Sequence, residues 1–317
     1  MAADLTETVT APGSHAGPGA RRFHNPLRTA PKPVREASRY AAVAPFLAYI
    51  VIFLLVPLAG IAYGAFQNPD TAAFTWSNVN TAVHGAFLHG YEQALELSLI
   101  ASVIPAVCGL LLAYAIFTDR GRGAAVLRQV VITASGVFAN FGGVPLAFLF
   151  IASFGSSALI TGWLSDIGLN LYNDGFSLYT MSGVALVYMY FQIPLMVLII
   201  LPALEGLRPA WREAASNLGA SSWHYWRFVG GPVLLPSFLS CLMLLFGSAL
   251  AAYATAEALT TGTIPLTSIQ IGSFLNGNVL AGQQNVGDAL ALGMVLIIAI
   301  LMTIYIVFQR RAAKWLR

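Results

Sequence analysis

The sequence predicts an all-α integral membrane protein, with six transmembrane helices and a cytoplasmic loop of short helices between the fourth and fifth. Three observations carry this reading. Of the 317 residues, 57% are hydrophobic and only 9% charged, against about 25% charged in soluble globular domains. The apolar residues gather in six runs of about twenty residues or more, each able to cross a hydrocarbon core of about 30 Å as a helix. Every lysine and arginine falls in segments that an even number of spans places on one side of the membrane.

Residues 1–40 are rich in Ala, Pro, Gly, Thr and charge. Such a segment buries too little apolar area to offset the entropy of ordering it, so it reads as a flexible cytoplasmic tail. A cleavable signal is not expected, because the first apolar run begins near residue 41 and continues to 66, too late and too long for a signal h-region. The other spans are expected at 97–117, 130–154, 181–204, 233–256 and 289–308. Together they make a six-span domain over 41–309, closed by a basic cytoplasmic tail at 310–317. No span contains Asp, Glu, Lys or Arg. Prolines within them, such as Pro105, Pro145 and Pro194, imply kinks whose freed carbonyls neighbouring helices re-satisfy. Gly136, Gly142, Gly143, Gly247 and Ser248 predict close helix packing. Cys108 and Cys241 lie inside apolar runs without paired spacing and read as packing residues.

Sidedness follows from counting. Six basic residues lie in the N-terminal tail, three between residues 118 and 129, three between 205 and 232, and four after residue 308, which accounts for all 16. The segments 64–96, 155–180 and 257–288 contain no basic residue and seven acids. The positive-inside rule therefore puts both termini and the 205–232 loop in the cytoplasm, in the cell (inner or plasma) membrane.

That loop carries helix signals of its own. Pro209 suits the first turn of a helix, where its missing N–H would have no partner anyway, and Gly219 suits the left-handed residue that ends one. Leu207, Trp211, Ala214, Ala215 and Leu218 recur on one face between them. Ser221 or Ser222 caps a second short helix, whose Trp223, Trp226 and Arg227 suit a membrane interface.

Glu213-Ala214-Ala215, three residues, Gly219, nine residues, Val229, one residue and Gly231-Pro232 resemble the EAA loop of binding-protein-dependent (type I) ABC importer permeases. The family pattern ends in Ile-x-Leu-Pro, so Val229 and Gly231 depart from it, while the Glu, the Gly and the Pro are kept. The resemblance implies that Pro209, Trp211, Glu213, Ala214, Ala215, Leu218, Gly219 and Pro232 form the contact with an ATPase. It implies as partners two ATP-binding-cassette subunits, a second permease chain, identical or different, and an external solute-binding protein. ATP and Mg would then be bound by the ATPase, leaving this chain without a cofactor. No nucleic-acid partner is expected.

The residues themselves give no sign of enzyme chemistry. Lys32 and Lys314 are the only lysines and neither stands in a phosphate loop; no His-Glu-x-x-His, Gly-x-Ser-x-Gly or paired-cysteine metal pattern occurs. His84 and His89 read as ordinary loop residues, and no metal site is expected. An ion-coupled secondary transporter is the competing class, but it calls for ionisable residues in its spans and for paired broken helices, neither of which the sequence displays. For the substrate, the stretch from Tyr188 through Gly219 resembles the polyamine and small-solute branch of the family. An acidic outer surface would concentrate a cation. Glu257 near Tyr253 is the candidate charge at the outer mouth, with Asn140 and Gln192 as hydrogen-bonding groups along the path. Sugars, phosphonates and iron complexes are the alternatives.

Overall fold

A computed structural model describes residues 43–119, 121–173, 175–278 and 282–315. The tail 1–40 and Asp174 lie outside them. The chain divides into two units after Pro57. The division falls within the first span, α1 (Val43–Ala65), and all the later helices belong to the second unit.

The helices come in the order α2 (Ser77–Ala82), α3 (Gly85–Thr118), α4 (Ala124–Asn140), α5 (Gly143–Phe154), α6 (Leu159–Asp166), α7 (Met181–Glu205) and α8 (Pro209–Asn217). They continue with α9 (Ser222–Ala251), then α10 (Ala254–Thr260), α11 (Thr267–Leu275) and α12 (Val286–Trp315). Among the described residues, six stretches are long and apolar enough to cross a membrane: α1, α3, Gly143–Asp166, α7, α9 and Val286–Val307. The expected number of spans is observed, with three differences of extent.

First, the run 130–154, expected as one helix, is two. Helix α4 ends at Asn140, Phe141 and Gly142 leave helical geometry, and Gly143 takes φ +73°, which a residue with a Cβ adopts only under strain. Pro145 therefore kinks nothing; it stands in the first turn of α5, where its missing N–H leaves no carbonyl unpaired. Second, the fifth span stops at Ala251 and restarts at Ala254, around Ala252 at φ −75°, ψ 90°. Its other end begins at Ser222, eleven residues before the apolar run. A π-type turn over Trp226–Gly230, in which Gly231 N–H bonds to the Trp226 carbonyl, carries the helix past Pro232. Third, α3 has 34 residues, about 51 Å, well beyond the run 97–117, and α12 continues through the basic segment to Trp315.

The second unit is built on α3, α4, α7 and α9. One apolar cluster joins α3, α5, α7 and α10 with the start of α12, through Leu97, Leu146, Tyr188, Leu259 and Leu290. The other joins α3, α7 and α9 through Met196, Ile200, Leu204 and Leu245, and extends to Leu207 at the entrance of α8. A cap of short elements closes the first cluster. There Asn78 and Asn285 both donate to the Gln67 carbonyl at 2.8 and 2.7 Å, Gln270 donates to the Ala86 carbonyl, and Tyr91 donates to the Leu290 carbonyl at 2.7 Å. These bonds tie α3 to α11 and α12, and the Gln67 turn to α2 and to the segment before α12.

Candidate functional site

Two places gather the residues singled out in the sequence, and the first is the α8–α9 corner. Arg208 is extended at the N-cap of α8, Pro209 occupies its first position, and the Arg208 guanidinium lies 5.8 Å over the Trp211 ring. The C-terminus closes in a Schellman motif. Gly219 at φ +77° donates its N–H to the Ser216 carbonyl, and the Ala220 N–H reaches back to the Ala215 carbonyl, both at 2.9 Å. Ser221, rather than Ser222, then caps α9, its hydroxyl accepting from the His224 N–H.

This reversal opens an apolar cleft of about 510 Å³ lined by Trp211, Ala214, Ala215 and Leu218 of the α8 segment and Tyr225 and Phe228 of α9. Leu218 is 88% exposed, an apolar tip held out of the protein by the turn after it. Glu213 faces the other way, into a more polar cleft with Arg208, Arg212 and Thr118. Leu207, expected on the same helical face, precedes the extended Arg208 and lies outside the helix; it is buried in the core, so the corner is anchored at one end and open at the other. Pro232 stands apart from the α8 face, in α9 after the π turn.

One contact was not visible in the sequence. Arg128 of α4 forms an ion pair with Glu205, the last residue of α7. It ties α4 to the entrance of the α8 corner, and a separation of 77 positions in the chain leaves no local signature.

The second place is where the two interrupted helices meet. The Gly143 N–H, released from helical bonding, donates to the Thr255 hydroxyl at 2.8 Å. The freed Ala252 carbonyl accepts from the hydroxyl of Tyr188, which is fully buried in α7. Asn140 ends α4 at this break, exposed, with its amide on the Gly136 carbonyl at 2.8 Å. Tyr253 opens the other break, its ring against Gly272 of α11. Glu257 stands one turn later in α10, half-buried, with one carboxylate oxygen buried and, among the described residues, without a hydrogen-bond partner. Gln192 sits elsewhere: it is fully buried, and its amide donates to the Leu245 carbonyl at 2.8 Å, pinning α7 to α9. The structure thus brings Asn140, Tyr253 and Glu257 to the paired breaks and adds Gly143, Thr255 and Tyr188. The doubled glycine was the one signal for them, and it read as packing.

A membrane bundle with an α8-type corner between its fourth and fifth spans has the fold of ABC transporter permeases. The bacterial ABC transporter that imports the acidic polysaccharide alginate aligns with a TM-score of 0.70 at 20% identity, over 88% of this chain and 96% of that one. The chain belongs to the family of binding-protein-dependent transport system inner membrane components, which matches residues 97–317. Among curated relatives, a probable sulfate transport system permease protein cysT of Nephroselmis olivacea is 24% identical over 223 residues, 70% of this chain and 73% of the relative. The thiamine transport system permease protein ThiP of Escherichia coli K12 is 31% identical over 233 residues, 71% of this chain but 40% of that longer one. The sulfate transport system permease protein CysT of the same organism is 25% identical over 201 residues, 63% of this chain and 67% of that one. The protein is a multi-pass membrane permease subunit of an ABC importer and not an enzyme.

Proposed function

We propose that this permease carries a small organic cation of the polyamine kind, delivered by an external binding protein and driven by two ATPase subunits acting on a pair of permease chains. The observation that carries the substrate reading is Glu257, whose half-buried carboxylate keeps one buried oxygen without a partner among the described residues, beside the paired breaks. A cation passing there gives that oxygen the counter-charge that the protein withholds. Seven acids and no bases in the segments assigned outward add long-range attraction. The thiamine permease relative is consistent with this, since thiamine is itself an organic cation. The sulfate permease relatives favour a second reading, an oxyanion.

In the proposed mechanism the termini and the α8–α9 corner face the cytoplasm, the exposed apolar face of α8 seats in a groove of the ATPase, and Glu213 meets a basic residue there. ATP and Mg are bound by the ATPase. Closure of the ATPase pair draws the two corners together and shifts the permease between inward- and outward-facing states, a two-state equilibrium biased by differential binding. Uptake of labelled putrescine, thiamine and sulfate, in cells with and without the intact system and with ATP depleted, tests the reading. Putrescine uptake that requires both the system and ATP is expected; equal putrescine uptake with sulfate uptake lost would eliminate it.

A further inference from the structure

A groove between α3 and α9 lies apart from both the corner cleft and the paired breaks. Its walls are Leu110 and Leu111 of α3 with Leu234, Leu235 and Phe238 of α9, and it encloses about 530 Å³. Both walls belong to membrane-crossing helices. At the corner end the lining changes character, to Trp223, Trp226 and Arg227. Trp223 is 69% exposed, as an interfacial tryptophan is. Among the described residues, Arg227 is the only charged one that lines the groove. It is exposed, has no ion-pair partner among those residues, and lies 5.7 Å over the Phe228 ring. The Tyr114 and Trp226 rings, edge to face at 5.1 Å, separate the groove from the cleft that Arg208 and Arg212 line.

An apolar trench at membrane depth, ending at an aromatic rim with an uncompensated guanidinium, is complementary to an amphiphile with an apolar tail and an anionic head. A zwitterionic headgroup supplies no net charge to Arg227, and a purely apolar occupant leaves it facing none. We propose that this groove binds one anionic phospholipid, with an acyl chain between α3 and α9 and the phosphate at Arg227. The lipid then braces the first turns of α9, and so the corner, against α3. Only this brace depends on the coupling role proposed for the corner; the binding site does not.

The purified transporter, stripped of lipid by detergent exchange and reloaded with equal phosphatidylglycerol and phosphatidylcholine, is examined by native mass spectrometry. Preferential retention of one phosphatidylglycerol per permease chain is expected. Arg227→Gln should reduce that preference about fivefold, Arg227→Lys should keep it, and Leu111→Trp should reduce retention of both lipids by filling the groove. An unchanged preference in Arg227→Gln overturns the site. So does efficient crosslinking of Leu111→Cys to another subunit, which would make the occupant protein. For the brace, wild-type uptake should fall in vesicles of phosphatidylcholine alone, while Arg227→Gln uptake should be equally low in both membranes. Normal uptake by a variant that has lost retention overturns the brace.

Discussion

The backbone amide of Gly143 donates to the side-chain hydroxyl of Thr255 at 2.8 Å, across 112 residues of chain. Each partner stands just after an interruption in a membrane helix, so one bond holds two breaks in register. Thr255 is 3% exposed, and water is not at hand to replace it. Thr255→Val keeps the shape and leaves the Gly143 donor unpaired, at a cost of about 1–3 kcal/mol. We expect a lower melting temperature for the purified permease and reduced uptake, with Thr255→Ser near wild type. Equal stability of the valine variant would show that the breaks are held by other means.

Gly219 should be indispensable for coupling and dispensable for insertion. At φ +77° a β-branched side chain costs roughly 1–2 kcal/mol, and the Schellman bonds that aim Leu218 outward would be lost. Gly219→Val is expected to reach the membrane in normal amount and to lack substrate-stimulated ATP hydrolysis. Glu213→Ala should weaken stimulation by removing a charge offered to the ATPase rather than by misaiming the helix. Full stimulation and uptake in either variant would mean that the corner is not the coupling element.

Arg128 and Glu205 are each less than half exposed, at 46% and 41%, so their pair contributes at most about 1 kcal/mol to stability. Its effect should therefore appear in transport. Arg128→Glu alone should lower uptake with little change in melting temperature, and Arg128→Glu combined with Glu205→Arg should recover it. If the swapped pair performs no better than the single variant, the contact does not act through its charges.

Glu257→Gln separates the two substrate readings. Loss of its charge should reduce uptake of a cation at low concentration and raise or leave unchanged that of an oxyanion. Transport assays with putrescine and sulfate side by side measure this, and a fall in sulfate uptake alone contradicts the cation assignment.

Orientation is open to direct labelling. On a background lacking Cys108 and Cys241, a cysteine at Ser165, an exposed residue of α6, should react with an impermeant maleimide in intact cells. Reaction only after the membrane is opened would invert the topology.

The number of spans was legible because the bilayer imposes length and apolarity on each of them, and both are properties of single runs. Helix α8 was legible for a similar reason: Pro209 starts it and Gly219 stops it, each by its own backbone chemistry. Where two residues compete locally, as Ser221 and Ser222 do for the cap, only geometry decided. The break after Ala251 was not legible at all. No Gly or Pro stands there; the Ala252 carbonyl is turned out to meet Tyr188, 64 residues earlier, and the Thr255 hydroxyl is set by Gly143. Gln192 reads as a path residue because a polar group in an apolar run invites that reading; its amide nitrogen bonds a carbonyl of the adjacent helix, while its buried carbonyl oxygen has no partner among the described residues. The Arg128–Glu205 pair was hidden likewise, since opposite charges at the ends of different spans are common and only packing selects which of them meet.

The length of α3 has a mechanical consequence. At one end it is bonded to Gln270 and Leu290 of the cap, and at the other Tyr114 stacks edge-on against Trp226 at the foot of α9. Pro105 sits buried within it, removing the backbone bond that would stiffen the rod at that point. Measured from Pro105, the limbs are about 30 Å toward the cap and about 20 Å toward the corner. Each limb can swing about that proline, and the same angle that displaces the corner end by about 2 Å displaces the cap end by about 3 Å, so equal bending is felt more at the cap.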